Sequence, residues 1–172
     1  MPTLTKLKGN DIALYGNQVN VGDKAPIITL PASDLSEVTI GGASDKAQLI
    51  VAVPSLDTPV CAIETTKFNN QAAAVEGGTV CVVSMDLPFA AKRFCSTEGI
   101  ENLAVLSDFR DKAFSTAYGT LIAEGALRGL SARVVFVVKK DGTVAYKEIT
   151  EDITVEPNYD AALEAFKAAA AE

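Results

Sequence analysis

The sequence contains no histidine, and that absence removes a large block of chemistry. A Ser-His-Asp or Cys-His hydrolase cannot be assembled without an imidazole. The usual histidine ligands of zinc, non-haem iron and haem are missing as well. Catalysis must therefore draw on thiols, carboxylates, Lys, Arg, Ser, Thr or Tyr. Cysteine is scarce, with Cys61, Cys81 and Cys95 making up the full set. Three thiols are too few for a four-thiolate zinc site or a secreted disulfide framework, and there is no C-x-x-C pair. Long apolar runs are absent. The longest, Leu49–Pro54 and Val134–Val138, fall far short of the roughly 20 residues that span a bilayer. Residues 1–16 hold no stretch like the apolar centre of a signal peptide. The expected address is cytoplasmic, where a disulfide is more often catalytic than structural. Positive charge is also in short supply: 15 bases against 22 acids leave a net charge of −7. Nucleic acids and anionic membranes select clustered Lys and Arg, so no nucleic acid and no membrane is expected as a partner. A small neutral substrate or a protein fits better.

What is present reads as a globular chain. Its 172 residues are 48% apolar and 22% charged, enough for one domain with a proper core. No repeat, linker or break in composition divides it, so residues 1–172 are expected to form a single domain. Leu4–Leu7 and Ile12–Tyr15, separated by Gly9-Asn10-Asp11, predict an N-terminal β-hairpin over about residues 1–16. Short strands are predicted at Ile27–Leu30 and Val38–Ile40. The pattern then alternates. Strands at Gln48–Val53, Thr79–Ser84 and Leu103–Leu106 are separated by helices at Pro59–Val75, ended by Gly77-Gly78, and Pro88–Cys95, closed near Gly99. A short helix at Asp111–Tyr118 follows. Arg133–Val138 and Thr143–Ile149 form a hairpin around Asp141-Gly142, and Asn158–Ala170 closes the chain as a helix. The fold class is α/β, a central mixed sheet flanked by helices, with parallel strands in the βαβ units and an antiparallel hairpin. This order is compatible with a thioredoxin-like fold.

Chemistry concentrates where the first buried strand gives way to a helix, over Pro54-Ser55-Leu56-Asp57-Thr58-Pro59-Val60-Cys61. Thr58 suits an N-cap and Pro59 a first helical position. Cys61 then falls at the third helical position, near N–H groups that have no intrahelical partner and that favour a thiolate. A free thiol, with pKa about 8.5, is only roughly 3% ionised at pH 7. A helix terminus supplies about 0.3–1 kcal/mol, or about 2 in a good site, which is too little to ionise such a thiol fully. A cation is needed as well, and without histidine it must be Arg or Lys. Arg133 opens a strand that otherwise reads as core, so its guanidinium needs an anion or water. It is equally readable as an exposed strand end, or as the partner of a carboxylate. Cys61 itself is equally readable as a small apolar residue in a first turn. Pro54 reads as a strand terminator. Cys81, inside Thr79–Val83, reads as an inert core thiol. Lys92 and Arg93 either assist Cys95 or face solvent.

Pro54, Thr58 and Cys61 match P-x-x-x-T/S-x-x-C, and the chain resembles the peroxiredoxins of the thioredoxin-like superfamily. Asp86-Leu87-Pro88-Phe89-Ala90, Arg93-Phe94-Cys95, Ala117-Tyr118-Gly119, Gly129-Leu130-Ser131-Ala132-Arg133 and Glu156-Pro157-Asn158-Tyr159 extend the resemblance to the bacterial thiol peroxidase subfamily over nearly the whole chain. That resemblance implies a peroxidase acting on alkyl hydroperoxides and hydrogen peroxide. Cys61 would be the attacking thiolate that becomes a sulfenic acid. Thr58 would hydrogen-bond the sulfur and the peroxide, Arg133 would stabilise the thiolate and polarise the O–O bond, and Pro54 would shield the sulfenate. Cys95 would resolve the sulfenate as an intrachain disulfide with Cys61. Thioredoxin would be the reductant, a homodimer the assembly, and no metal or organic cofactor would be required. Two rivals stand beside this reading. One is a peroxide-sensing redox switch that signals to a protein partner. The other is a thioredoxin-fold binding module with incidental thiols.

Overall fold

The computed structural model describes residues 4–172; residues 1–3 of the expected hairpin lie outside the described residues. The elements, in chain order, are β1 (Leu4–Leu7), β2 (Asn10–Tyr15), β3 (Ile28–Pro31), β4 (Glu37–Ile40), β5 (Ala47–Ala52), α1 (Pro59–Gln71), β6 (Gly78–Ser84) and α2 (Pro88–Glu98). They continue with β7 (Ala104–Ser107), α3 (Ala113–Tyr118), β8 (Leu121–Ile122), β9 (Val134–Val138), β10 (Val144–Ile149) and α4 (Tyr159–Ala170). The central sheet has the order β10-β9-β5-β6-β7. β5, β6 and β7 are parallel, while β9 runs antiparallel to both β5 and β10. This is the thioredoxin-like α/β arrangement that the element order predicts.

Side-chain alternation builds two cores from one sheet. Leu49 and Val51 of β5, Val80 and Val82 of β6, and Val135 and Val137 of β9 pack with α1, α2 and α4 through Phe68, Phe94 and Phe166. The intervening residues Ile50, Ala52, Cys81, Val83, Val134 and Phe136 pack on the other face with Phe114 and Tyr118 of α3. Both β5-α1-β6 and β6-α2-β7 step the same way across the sheet, so right-handed crossovers put α1 and α2 on one face. The alternation also decides where each site residue points. Arg133 continues the 135 and 137 series toward α1, whereas Cys81 lies in the core on the opposite face from Cys61.

Several local expectations are corrected. The first hairpin turns at Lys8-Gly9, with φ of 50° and 86°, and Leu7 pairs with Asn10. Two positive-φ residues make the tight turn whose twist matches the strands, so Asn10 and Asp11 belong to β2 instead of the loop. Leu121–Ile122, not anticipated as a strand, joins β2 and turns the hairpin into a three-stranded sheet. Two residues carry no readable period. α1 ends at Gln71, four residues before Val75, and Gly77 sits beyond it in the approach to β6. α2 runs on to Glu98, and Gly99, at φ 69°, closes it on the carbonyl of Cys95. Ile100 donates to the same carbonyl at 2.9 Å.

α4 covers the sheet next to the site, and its start is set by Asn158, whose Oδ1 accepts from the Ala161 amide at 3.1 Å. Asn158→Ala is expected to cost about 1 kcal/mol. A lowered urea midpoint at unchanged slope measures it.

Candidate active site

β5 delivers the chain to a turn that starts α1. Val53 and Pro54 are buried, Thr58 is the N-cap with φ −89° and ψ 146°, and Pro59 opens the helix. Cys61 is therefore the third helical residue and is fully buried. The Thr58 hydroxyl does not cap the helix, and it donates neither to the sulfur nor to any helical acceptor. It donates to the Ser55 carbonyl at 3.0 Å, which tightens the turn on itself. The Thr58 carbonyl accepts from Ala62 at 3.1 Å. The N–H groups of the first turn are thus left without a side-chain acceptor, and the positive end of the helix faces the Cys61 region.

Arg133 lies just before β9 and is 2% exposed. Its Nε donates to the Ile153 carbonyl at 2.8 Å. Its Nη1 lies 3.1 Å from the Cys61 sulfur and 2.7 Å from Glu64 Oε2. One nitrogen thus serves a sulfur and a carboxylate together. Burial by itself would lower the Arg133 pKa, but the Cys61 sulfur and the Glu64 carboxylate outweigh burial and raise it. Both readings left open by the sequence meet here, since the guanidinium is buried against the thiol and also paired with a carboxylate.

Glu64 escaped the sequence reading. It is fully buried, and its Oε1 is the one buried side-chain polar atom without a hydrogen-bond partner among the described residues. Burial pushes its pKa up from 4.5 to about 7, against the pull of Arg133 and with help from Glu148 and Glu156. The signal was present in the spacing. Cys61, Glu64, Thr65 and Phe68 stand at i, i+3, i+4 and i+7 and form the buried stripe of α1. A carboxylate in that stripe demands a cation. The site is roofed by Tyr159, whose ring lies 5.2 Å from that of Phe68 and whose hydroxyl donates to Glu156 at 2.8 Å.

Cys95, in the last full turn of α2, packs against the same apolar cluster as Cys61. Both thiols are free. Burial raises the Cys95 pKa. Lys92 and Arg93 do not offset that: both are exposed, and Arg93 sits 3.8 Å from Asp57. Burial pushes the Cys81 thiol up to about 12, as a core thiol should behave.

Glu64 holds protons more tightly in the folded chain than in the unfolded one, so its contribution to stability is complete below about pH 4.5 and is lost as pH rises toward about 7. The loss is at most about 3 kcal/mol. Glu64→Gln is expected to flatten the stability profile across that window, as read by denaturant unfolding at stepped pH. Parallel profiles for the two chains would contradict it.

The redoxin family model matches residues 20–163. A thiol peroxidase of Campylobacter jejuni is 57% identical over 164 residues, covering 95% of this chain and 92% of that protein. A peroxiredoxin-like protein from Aquifex aeolicus superposes with a TM-score of 0.93 at 51% identity, over 96% of both chains. A thiol peroxidase from Chromobacterium violaceum shares the fold, with a TM-score of 0.80 at 23% identity over 92% of this chain and 91% of that one. On these matches the chain belongs to the redoxin family, among its thiol peroxidases.

Proposed function

We propose that this chain is a thiol-dependent peroxidase in which Cys61 attacks hydroperoxides and Cys95 closes the cycle. The observation that carries the reading is the Arg133 Nη1 held 3.1 Å from the Cys61 sulfur at the start of a helix. Guanidinium and helix terminus together favour the anion, and the thiolate is the nucleophile. The Cys61 sulfur attacks the terminal oxygen of ROOH. The S–O bond forms, the O–O bond breaks, and the leaving alkoxide takes up a proton as an alcohol, or as water from hydrogen peroxide. The same guanidinium and the first-turn N–H groups meet the charge that develops on the oxygens. The Thr58 hydroxyl oxygen, while donating to the Ser55 carbonyl, accepts a hydrogen bond from the peroxide O–H, and Pro54 screens the sulfenate.

Cys95 then attacks the sulfenate sulfur, forming the Cys61–Cys95 disulfide and releasing water. A thioredoxin dithiol reduces that disulfide by exchange. The 172 residues act as one domain, as a homodimer and in the cytoplasm. No helix among the described residues is long and apolar enough to cross a membrane. No step requires a metal or organic cofactor.

Cumene hydroperoxide consumption with thioredoxin, its reductase and NADPH is expected to run for many turnovers. Cys61→Ser should abolish it. Cys95→Ser should give one equivalent of product and then stall or form sulfinic acid. Cys81→Ser, in the opposite core, should match the parent. A single stoichiometric burst from the parent chain would favour the redox switch instead.

A further inference from the structure

Asp86 lies between β6 and α2, outside the reacting groups, yet it holds the turn that leads into Cys61. Its Oδ1 accepts from Ser55 Oγ at 2.8 Å. Its Oδ2 accepts from the Leu56 amide at 2.7 Å and from Ser84 Oγ at 2.8 Å. Its own amide donates to Ser84 Oγ at 3.2 Å, and its carbonyl accepts from Ser107 Oγ. Ser84 and Ser107 are a registered pair on β6 and β7 and are both 1% exposed. The carboxylate is thus fixed to the end of the sheet through Ser84 on one side and to the turn through Ser55 and Leu56 on the other.

The consequences run in both directions along the chain. Ser55, held by Asp86, accepts the Thr58 amide and hydroxyl through its carbonyl. Leu56, whose amide is held, buries its side chain in the cluster that contains Cys61. Two residues after Asp86 begins α2, the helix of Cys95. A second tie between the two segments, Arg93 to Asp57, is 3.8 Å long and about 70% exposed on each side, a geometry worth little in water. The half-buried Asp86 linkage, with an amide donating to a carboxylate, is the stronger tie.

We propose that Asp86 is a positioning residue, a latch that keeps the Ser55–Thr58 turn closed and so restrains the Cys61 sulfur from reaching Cys95. Resting on the peroxidase reading, it sets how long the sulfenate survives. Cys61 starts fully buried in the first turn of α1, so that turn must open before an S–S bond can form. Each sulfenate has two fates. Attack by the Cys95 thiol forms the S–S bond and releases water. A second ROOH oxidises the sulfenate to sulfinic acid and releases ROH. A closed latch favours the second fate, and an open latch favours the first.

The test oxidises the full chain with graded cumene hydroperoxide and counts disulfide against sulfinic acid by intact-protein mass spectrometry. Asp86→Asn and the milder Ser55→Ala are compared with the parent and with Asp108→Asn. Asp108 is a buried carboxylate that accepts from Phe114, Ser115 N and Ser115 Oγ at 2.8–2.9 Å and caps α3. Both latch variants should raise the peroxide concentration that gives half sulfinic acid at least threefold, Asp86→Asn more than Ser55→Ala. Asp108→Asn should lower the melting temperature without moving that concentration. The latch is overturned if Ser55→Ala, or a folded Asp86→Asn, leaves the partition at the parent value. It is also overturned if Asp108→Asn shifts the partition equally. A parent chain that consumes no peroxide would instead overturn the peroxidase reading itself.

Discussion

One buried guanidinium has two claimants. Arg133 reaches the Cys61 sulfur and the Glu64 carboxylate through the same nitrogen, and all three residues are buried. One guanidinium nitrogen is thereby shared between a sulfur and a carboxylate. Burial raises the Glu64 pKa against the pull of Arg133, and the Oε1 of that carboxylate has no hydrogen-bond partner among the described residues. Removing the cation would strand a buried carboxylate, a change that costs about 3–5 kcal/mol. The guanidinium that faces the Cys61 sulfur therefore also ties α1 to the start of β9.

The sheet supplies the geometry. Strand alternation aims Arg133 at the α1 face, the right-handed crossover puts α1 on that face, and the short connection from Ala52 to Pro59 puts the start of α1 at the end of β5. Nε is anchored on Ile153, beyond β10, so two separate segments, that one and α1, fix the fork. The apolar residues of β5 and β9 are fully buried, which leaves the site standing on a packed floor. Above it stands the turn from Ser55 to Thr58, whose ties lead to Asp86 and the start of α2.

The sequence carried the long elements well, because buried valine runs and amphipathic helices impose their own periods. It carried the strand-to-helix position of Cys61 for the same reason, with Pro59 marking the first turn. The apposition of Arg133 and Cys61 was legible as a need for a cation, not as a contact, since 72 residues separate them in the chain. Glu64 was overlooked because charged residues in helices usually face solvent, although its spacing from Cys61 and Phe68 placed it inward. The Thr58 hydroxyl donates to the Ser55 carbonyl three residues back, a local turn bond that competes with capping. β8 and the two-residue turn at Lys8-Gly9 were too short for a period to register.

The account depends on the planar fork of Arg133, and substitution by lysine tests it most directly. Lysine keeps the charge but offers a point donor where Cys61, Glu64 and Ile153 are served together. The quantity to measure is the second-order rate at which Cys61 reacts with cumene hydroperoxide at pH 7, by stopped flow, in chains lacking Cys95. The account predicts that Arg133→Lys, folded as judged by circular dichroism, reacts at least tenfold more slowly than its Arg133 counterpart. Equal rates would contradict it.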